Sequence, residues 1–431
     1  MRRRLLILVV TLMAAGILLA VVSCDDNGWA PPVFLPIDKV NTGLPKVDIR
    51  LPGVQEIQSR SEWLDGVQMT IYNADGSINY QGTIEMKGRG NMSWSFPKKS
   101  YALKLSKKNE VLGMPRHKRW CLISNWLDRT MMRNAVAFKI SSMMPSLEYT
   151  PRGRYVELFV NGIHRGNYFL CEQIKVDRNR VDIKDLDNTA VEGPGVTGGF
   201  IFELDEYFDE AFQLRSPREQ LPWMLKDPDE VNDAAYDYVC DYVANLEDAL
   251  YDDVRFYKRD FAKLMDLGSF VDWWLVYELA MNREPRHPKS CYMYKDADTE
   301  EGVALLKAGP VWDFDCETFM PAVENQYTAI TSLYYPRLFE DREFRLLVQQ
   351  HWLQLKERGL REQVDRYIDN LSEMLQESDK INSALWPIVV PTNGDTYISF
   401  NDAVARLKSS FDKKYVWLDY IINNQITPPL P

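Results

Sequence analysis

The sequence predicts an α+β fold with two lobes, the first rich in β-strands and the second mainly helical. Two hairpin signals in the first half and five amphipathic segments in the second half carry this prediction. The 431 residues suffice for one large two-lobed domain or for two or three smaller ones. With 45% hydrophobic, 12% aromatic and 26% charged residues, the composition is that of a globular protein and excludes extended disorder.

Residues 1–23 have the pattern of a lipoprotein signal peptide. Three arginines precede an apolar run over residues 5–22, and the small residue Ser23 stands directly before Cys24. This resembles the lipobox at which bacterial lipoproteins are cleaved and acylated. We therefore predict lipidation of Cys24 and attachment to a membrane outside the cytoplasm, in the periplasm or at the cell surface. The apolar run is also long enough for an uncleaved anchor helix, which stays open as an alternative.

Residues 24–45 read as a tether because four prolines fall between residues 31 and 45. The formal net charge of the chain is −11, and it becomes more negative without the arginines of residues 1–23. A general nucleic-acid binder needs the opposite sign of charge. We therefore expect no nucleic-acid partner.

The β-rich lobe is predicted over residues 46–200. Alternating apolar and polar residues flank Asp75-Gly76, and a second alternating pair flanks Asn161-Gly162. Both dipeptides favour tight hairpin turns because glycine tolerates a positive φ. Between the hairpins, apolar residues at helical spacing predict a helix over residues 128–144.

The helical lobe is predicted over residues 201–431. Apolar residues recur with a period near 3.6 in five segments, and one strand pair interrupts them at residues 291–294 and 304–312. The five helices are predicted at residues 233–250, 267–281, 344–357, 361–378 and 401–423. A β-rich lobe joined to a helical lobe favours a functional cleft between the two.

A basic run marks the first lobe as an anion site. Residues 87–119 contain ten Lys or Arg and a single acid, Glu110. The run surrounds Lys87-Gly88-Arg89-Gly90-Asn91, where glycines let backbone N–H groups approach an anion and Arg89 supplies positive charge. A phosphate cradle is one interpretation, and a solvated basic face is the other.

A pair of aspartates marks the second lobe. Asp313 and Asp315 stand at i and i+2 after an apolar segment, and on a strand they would point to the same face. Two neighbouring carboxylates suit Mg²⁺ or Mn²⁺, although an Asp-rich turn would give the same pattern. Upstream, Asn282 and Glu284 end a predicted helix and offer an amide ligand and a candidate base.

Together these segments resemble the CotH family of spore-coat and extracytoplasmic proteins. The resemblance covers most of residues 85–183 and returns near residues 265–315. The matching stretches are Lys87-Gly88-Arg89-Gly90-Asn91, Ser93-Trp94, Phe96-Pro97-Lys98-Lys99, Leu112-Gly113-Met114-Pro115, Arg133-Asn134, Glu172-Gln173-Ile174, Asn179-Arg180-Val181-Asp182 and Gly309 to Asp315.

The resemblance implies an atypical protein-kinase-like fold that transfers the γ-phosphoryl group of ATP to Ser or Thr of a protein. The implied cofactors are ATP and Mg²⁺ or Mn²⁺, and the implied partner is a protein of the cell envelope. Phosphoryl transfer asks mainly for positioning and charge neutralisation. The implied nucleotide-binding residues are Arg89, Lys104 as the strand lysine, Glu172 as its orienting partner, and Asn282.

The same resemblance assigns the catalytic and metal positions. Asp313 takes the role of the metal-binding aspartate, with Asp315 as a second ligand. Glu284 stands where family members tend to carry an aspartate that accepts the hydroxyl proton. Its extra methylene displaces the carboxylate by about 1.5 Å, a shift that can lower a rate by orders of magnitude.

Two further hypotheses therefore stand beside the kinase. The first is a non-catalytic kinase-like scaffold, motivated by Glu284 and by the scarcity of ATP outside the cytoplasm. The second is a basic surface over residues 87–119 that grips anionic polysaccharide or lipid headgroups, with binding that falls steeply as salt rises.

Overall fold

The computed structural model describes residues 35–387, 393–395 and 397–426. The predicted signal peptide and Cys24 lie outside these residues, as does the first half of the predicted tether. Within the described ranges, no helix has the length and apolar character that a membrane crossing requires.

The first lobe is a closed barrel of seven strands in the order β1-β2-β3-β4-β5-β7-β6. Neighbouring strands are antiparallel except β1 and β6, which pair in parallel and close the barrel. The strands are β1 (Lys46–Arg50), β2 (Leu64–Tyr72), β3 (Ile78–Arg89), β4 (Ser100–Val111), β5 (Met114–Ile123), β6 (Gly153–Val160) and β7 (Ile163–Glu172).

Both predicted hairpins are confirmed. β2 pairs with β3 across Asp75-Gly76, and β6 pairs with β7 across Asn161-Gly162. Asn161 and Gly162 both have positive φ, as the two central residues of a tight hairpin turn require. The Asn161 side chain also accepts a 2.8 Å hydrogen bond from the backbone N–H of Leu51, so this turn is fastened to the end of β1.

Because side chains alternate along each strand, the barrel has an apolar interior and a basic outer face. On β3, Ile84 and Met86 are buried inside, whereas Lys87 and Arg89 point outwards. On β5, Trp120 and Leu122 fill the interior and Arg119 lies outside. The predicted basic run therefore becomes one face of the barrel.

The helix between the hairpins, α1 (Arg133–Ser141), is shorter than predicted at both ends. Residues before it form turns held by the buried Asp128, whose carboxylate accepts hydrogen bonds from the backbone N–H groups of Thr130 and Arg133. An aspartate that satisfies backbone groups in this way competes with helix formation.

The second lobe contains an antiparallel five-stranded sheet in the order β12-β11-β8-β10-β9, together with helices. The strands are β8 (Phe200–Leu204), β9 (Gln213–Arg215), β10 (Pro222–Asp227), β11 (Cys291–Lys295) and β12 (Lys307–Ala308). The sequence did not predict β9 and β10. It also made the last strand too long, since β12 stops at Ala308. The predicted division between residues 200 and 201 falls inside β8 and stays a prediction.

The remaining elements confirm the five predicted helices and add two short ones. Polar side chains cap the N-termini of five of these seven helices, for example Asn232, which accepts a hydrogen bond from the N–H of Ala235. The helices are α2 (Asp233–Tyr251), α3 (Asp253–Tyr257), α4 (Leu267–Leu279), α5 (Tyr335–Leu338), α6 (Arg342–Glu357), α7 (Leu360–Leu385) and α8 (Phe400–Ile421). Helix α4 is buried over most of its length and forms the centre of this lobe.

A buried lysine joins the two lobes. The ammonium of Lys98, just before β4, donates hydrogen bonds to the carbonyls of Ser124 and Asn167 in the barrel and to Oδ1 of Asn382 in α7. The Lys98 residue is only 2% exposed. Because each donor of a buried ammonium needs a partner, these three contacts fix α7 against the barrel.

Candidate functional site

A cleft of about 570 Å³ lies where the two lobes meet. The outer face of β3, β4 and β5 forms one wall, and β8, β10 and the loops after α4 and β12 form the other. Of the predicted site residues, Arg89, Glu284, Asp313 and Asp315 line this cleft. The fold thus brings together groups that are more than 220 positions apart in the chain.

The barrel wall of the cleft carries three cations, Lys87, Arg89 and Arg119. Arg89 donates a hydrogen bond to Sγ of Cys121 at 3.1 Å and lies 4.5 Å from the ring centre of Trp312. Lys87 and Arg119 each lie 4.9 Å from the ring centre of Trp63. Within the described chain, none of the three forms a salt bridge with a carboxylate, so their charge is available to an anion.

Burial and neighbouring charges shift the pKa of Lys87. Burial, together with the neighbouring charge of Arg119, lowers the pKa of Lys87 below its ordinary value. Asp229 and Glu210, which also line the cleft, oppose this shift, but among the described residues neither forms a salt bridge with Lys87, so its charge is not neutralised by direct pairing. The arrangement is therefore that of an anion-binding wall.

Lys104 and Glu172 do not meet, and the predicted contact between them is wrong. Lys104 points to the outer face of β4, where its ammonium lies 2.8 Å from Glu85. Glu172 points towards the barrel interior, since its neighbour across the strands is the buried Trp120. Strand alternation places the two side chains on opposite faces.

The partners of Glu172 are structural. Its carboxylate lies 2.6 Å from Arg180 and 2.9 Å from Arg152, and it accepts a hydrogen bond from the hydroxyl of Tyr149. Neither Glu172 nor Lys104 is among the residues that line the cleft. On this wall, Lys87 and Arg119 line the cleft together with Arg89, whereas Lys104 does not.

The opposite wall carries three carboxylates, Glu284, Asp313 and Asp315. Burial raises the pKa of Glu284 well above its ordinary value, and the neighbouring Asp313 raises it further. Burial and Asp313 have the same effect on the pKa of Asp315. Oε2 of Glu284 is buried and has no hydrogen-bond partner among the described residues. Crowded carboxylates of this kind are stabilised by a proton or a cation.

Asp313 and Asp315 lie on a loop and not on a strand. β12 ends at Ala308, and Asp313 has a φ of 64°, in the left-handed region that non-glycine residues seldom adopt. The i, i+2 argument from strand geometry is therefore wrong, although Asp313 lies close enough to Asp315 to raise its pKa. Something other than a sheet must hold this backbone in place.

Three buried asparagines hold it, and we refer to Asn134, Asn282 and Asn393 as the asparagine clamp. Asn282 donates to the carbonyl of Asp313 at 3.0 Å, and Asn134 accepts from the N–H of Phe314 at 2.8 Å. Asn393 donates to the carbonyl of Asp315 at 2.7 Å. The clamp thus fixes three successive residues from three separate parts of the chain.

The clamp changes the role expected for Asn282. Its Oδ1 accepts a 2.9 Å hydrogen bond from the N–H of Glu284 while its Nδ2 binds the carbonyl of Asp313. Both ends of the amide are thus occupied by backbone, which leaves Asn282 to align the two acidic segments. Asn282 is not among the residues that line the cleft, and its predicted contact with a cofactor stays a prediction.

Asp313 and Asp315 have the chemistry of a magnesium site. Within the described residues, no three His, Cys, Asp or Glu side chains converge into a complete metal site. Mg²⁺ is commonly held by one or two carboxylates, with water and phosphate oxygens as the other ligands. The hard oxygens of this crowded pair fit that pattern.

An acidic rim continues along the second sheet. Glu203 on β8 lies 3.0 Å from Lys226 on β10, and Asp205 accepts a 2.8 Å hydrogen bond from the N–H of Tyr207. Burial raises the pKa of Asp205 to about 6. The cleft is therefore polarised, with cations on the barrel wall and mainly carboxylates opposite.

Several residues of the site carried little signal in the sequence. Lys87 and Arg119 stood inside the basic run, but nothing in the sequence distinguished them from Lys104. Asn134 belonged to a matching stretch without an assigned role. Asn393 comes 78 positions after Asp315 in the chain, and no local pattern connects the two.

Comparison with known proteins agrees with the family resemblance seen in the sequence. The sequence has no significant match among curated proteins. Residues 86–418 match the family described as CotH kinase protein. The matched range contains most of the cleft, the three carboxylates and all three members of the asparagine clamp, and it covers more than half of the chain. On this match, the chain belongs to the CotH kinase family.

Proposed function

We propose that the protein is an extracytoplasmic kinase that transfers the γ-phosphoryl group of ATP to Ser or Thr of envelope or surface proteins. The observation that carries the proposal is the polarised cleft. Arg89, Lys87 and Arg119 stand unpaired on one wall, and the crowded carboxylates Glu284, Asp313 and Asp315 stand opposite. A triphosphate with a divalent cation is complementary to both walls at once.

On this proposal the barrel wall binds the phosphates. Arg89 is held in place by Cys121 and Trp312, so little of its side-chain freedom is lost on binding. Asp313 and Asp315 hold Mg²⁺ or Mn²⁺, and the ion, when bound, neutralises charge on the phosphates. Preorganised charges of this kind are the main contribution that a protein makes to phosphoryl transfer.

Glu284 is the proposed base. The hydroxyl oxygen of the acceptor attacks the γ-phosphorus, the bond to the β,γ-bridging oxygen breaks, ADP leaves, and the hydroxyl proton passes to Glu284. Oε2 of Glu284 has no partner among the described residues and is therefore free to accept that proton. Burial raises the pKa of Glu284 and Lys289 lowers it, so Glu284 acts as a base only where a cation bound beside it keeps the carboxylate ionised.

The site of action rests on the sequence. The pattern that ends in Ser23-Cys24 supports lipidation of Cys24 and a tether of about twenty residues before the barrel begins at Lys46. Several acyl chains give stable attachment, where a single chain binds only marginally. We propose that this attachment places the cleft among envelope proteins, with the membrane as a further partner.

A label-transfer assay tests the activity. The purified full-length protein is incubated with γ-labelled ATP, Mg²⁺ or Mn²⁺ and an envelope fraction. We expect Asp313→Asn to lower the transfer of label at least 100-fold, because it removes charge that the phosphates and cation require. Asp65→Asn, on an exposed position of β2 outside the cleft, serves as the matched control and should retain full transfer.

Two outcomes would contradict the proposal. Equal transfer by the wild type and Asp313→Asn would show that the cleft does not carry the activity. Binding of Mg-ATP without transfer to any envelope protein would instead indicate the non-catalytic scaffold.

A further inference from the structure

The cleft has a second end, away from the carboxylates, where residues 173–175 follow β7. The N–H of Val176 donates to Asp227 at 2.6 Å, and the ammonium of Lys175 donates to the same carboxylate at 3.2 Å. These bonds hold residues 173–175 beside the end of β10. Ile174, Met224 and Leu225 therefore meet at this end, and all three line the cleft.

The floor of this end is flat and apolar. Ala102 on β4 faces Cys121 on β5, which in turn faces Cys171 on β7, so three small side chains form one row across the barrel wall. Ala102 and Met224 are 4% and 1% exposed, yet neither packs into the two hydrophobic cores. Both side chains are therefore already covered, and they give the wall at this end of the cleft an apolar backing.

One polar atom at this end lacks a partner. Oε1 of Gln173 is buried without a hydrogen-bond partner among the described residues, and Gln173 lines the cleft. Gln173 directly follows the last residue of β7, at the point where the chain leaves the barrel. An unpaired buried amide oxygen is costly, and in a native protein it calls for an explanation. A ligand that donates a hydrogen bond would provide one.

We propose that Gln173 reads the nucleotide base and selects adenine. Its Oε1 accepts a hydrogen bond from the 6-amino group while its Nε2 donates to a ring nitrogen, the bidentate pairing that glutamine makes with adenine elsewhere. The ring itself lies in the cleft beside Gln173. This inference rests on the proposed nucleotide-binding function and adds the residue that discriminates between purines.

The pairing of the barrel strands sets the distance between Gln173 and Arg89. Arg89 pairs with Ser100 on β4, whereas Gln173 lies level with Lys104 and Arg119, one position beyond the paired Trp120 and Glu172. Ser100 and Lys104 are four positions apart, or roughly 13 Å along a strand. The guanidinium of Arg89, however, reaches back to Sγ of Cys121, two positions from the level of Gln173, so the room between the base and this charge is roughly 7 Å along the wall.

Inosine triphosphate supplies the test, since it carries a carbonyl where ATP carries the 6-amino group. Dissociation constants of both nucleotides with Mg²⁺ are measured by calorimetry on the full-length wild type and on Gln173→Leu. The wild type should bind ATP about tenfold more tightly than inosine triphosphate. Gln173→Leu should bind the two nucleotides equally, because ATP loses its advantage.

The matched control is Gln213→Leu. Oε1 of Gln213 is also buried without a partner among the described residues, but Gln213 on β9 does not line the cleft. Its substitution should leave the tenfold preference intact. A general loss of stability would weaken both nucleotides together and leave their ratio unchanged.

The failures of the two proposals are distinguishable. If the wild type binds ATP but Gln173→Leu retains the preference over inosine triphosphate, the assignment of Gln173 is wrong and the kinase proposal stands. A wild type that binds both nucleotides equally also overturns the assignment. If the wild type binds neither nucleotide, the proposed function itself fails.

Discussion

Arg89 and Lys104 show how strand alternation and ion pairing separate two residues that look equivalent in the sequence. Both lie on the outer face of the barrel within the same basic run. Lys104 is neutralised by Glu85 at 2.8 Å, whereas Arg89 donates to Cys121, lies beside Trp312 and forms no salt bridge among the described residues. The charge available to a phosphate is therefore that of Arg89.

This difference predicts opposite results for two substitutions. A ligand that binds only the native state raises the melting temperature, so Mg-ATP binding can be followed by thermal shift. We expect Arg89→Met to weaken Mg-ATP binding at least tenfold and Lys104→Met to change it less than twofold. The titration of melting temperature against Mg-ATP concentration measures both. A loss of binding on Lys104→Met alone would show that the Glu85 pair opens to admit the nucleotide.

At the scale of residues, the sequence predicted the acidic residues of the cleft better than the basic ones. The fold brings Arg89, Glu284, Asp313 and Asp315 to one cleft, while their chemical roles stay predictions. The sequence shows where a lysine stands, but it does not show which carboxylate forms an ion pair with it. Glu85 and Lys104 meet only through the pairing of β3 with β4, so composition alone could not exclude Lys104.

The elements around the loop of Asp313 and Asp315 hold it in place through the asparagine clamp. Helix α1, the end of α4 and residues 393–395 each contribute one asparagine to the loop of Asp313 and Asp315. Asn393 also donates a 2.9 Å hydrogen bond to the carbonyl of Leu127. It therefore joins the carboxylate loop to the segment that precedes α1.

Removal of Asn393 should act on the metal requirement of the reaction. Asn393→Ala leaves the buried carbonyls of Asp315 and Leu127 without a donor, at a cost of about 1–3 kcal/mol in the free energy of unfolding. We expect the Mg²⁺ concentration for half-maximal label transfer to rise about tenfold, because the carboxylates are no longer held in register.

The control for this substitution is Asn424→Ala, since Asn424 is exposed and bonds only to the carbonyl of Tyr420 in the described structure. It should alter neither the metal requirement nor stability appreciably. An Asn393→Ala protein that is destabilised but keeps the wild-type Mg²⁺ requirement would reduce Asn393 to a purely structural residue.

Prediction at the scale of elements succeeded where the signal is local. Amphipathic periods located all five long helices, and turn dipeptides located both hairpins. It failed for β9 and β10, which are short, and for the end of β12. At Asp313 a tertiary clamp overrides the strand pattern, and hydrogen bonds from distant asparagines leave no trace in the local sequence.

At the scale of the whole molecule, Lys98 ties the barrel to α7 and makes this junction sensitive to pH. Burial lowers the pKa of Lys98 to about 7 from an ordinary value of 10.5, while the nearby Glu157 opposes the shift. The folded protein therefore releases this proton at a lower pH than the unfolded chain. Between the two pKa values the unfolded chain binds more protons, so stability rises with pH.

Lys98→Met removes this titration and keeps the apolar stem of the side chain. We expect the difference in free energy of unfolding between wild type and variant to grow in favour of the wild type by up to about 1.4 kcal/mol per pH unit above pH 7. Denaturant unfolding of both proteins from pH 6.5 to 9 measures the slope. A difference that stays constant over this range would contradict the prediction.

The two-lobed plan was accessible from the sequence, but the closure of the barrel was not. Local patterns predict strands without naming their partners, and β1 pairs in parallel with β6, more than 100 positions away. The five-stranded sheet within the mainly helical half was hidden for the same reason. Its strands β8 and β11 are neighbours in space, with α2, α3 and α4 between them in the chain.

The parallel pair of β1 and β6 decides where this chain can be cut. The region that matches the family begins at residue 86, after β1, β2 and most of β3. A fragment trimmed to those limits would leave β6 without its parallel neighbour and β4 beside only the last residues of β3. The two unpaired strand edges could then form hydrogen bonds with other chains and cause aggregation. Recombinant work on this protein therefore needs the upstream strands, and a truncated fragment that precipitates would say nothing about the chemistry of its cleft.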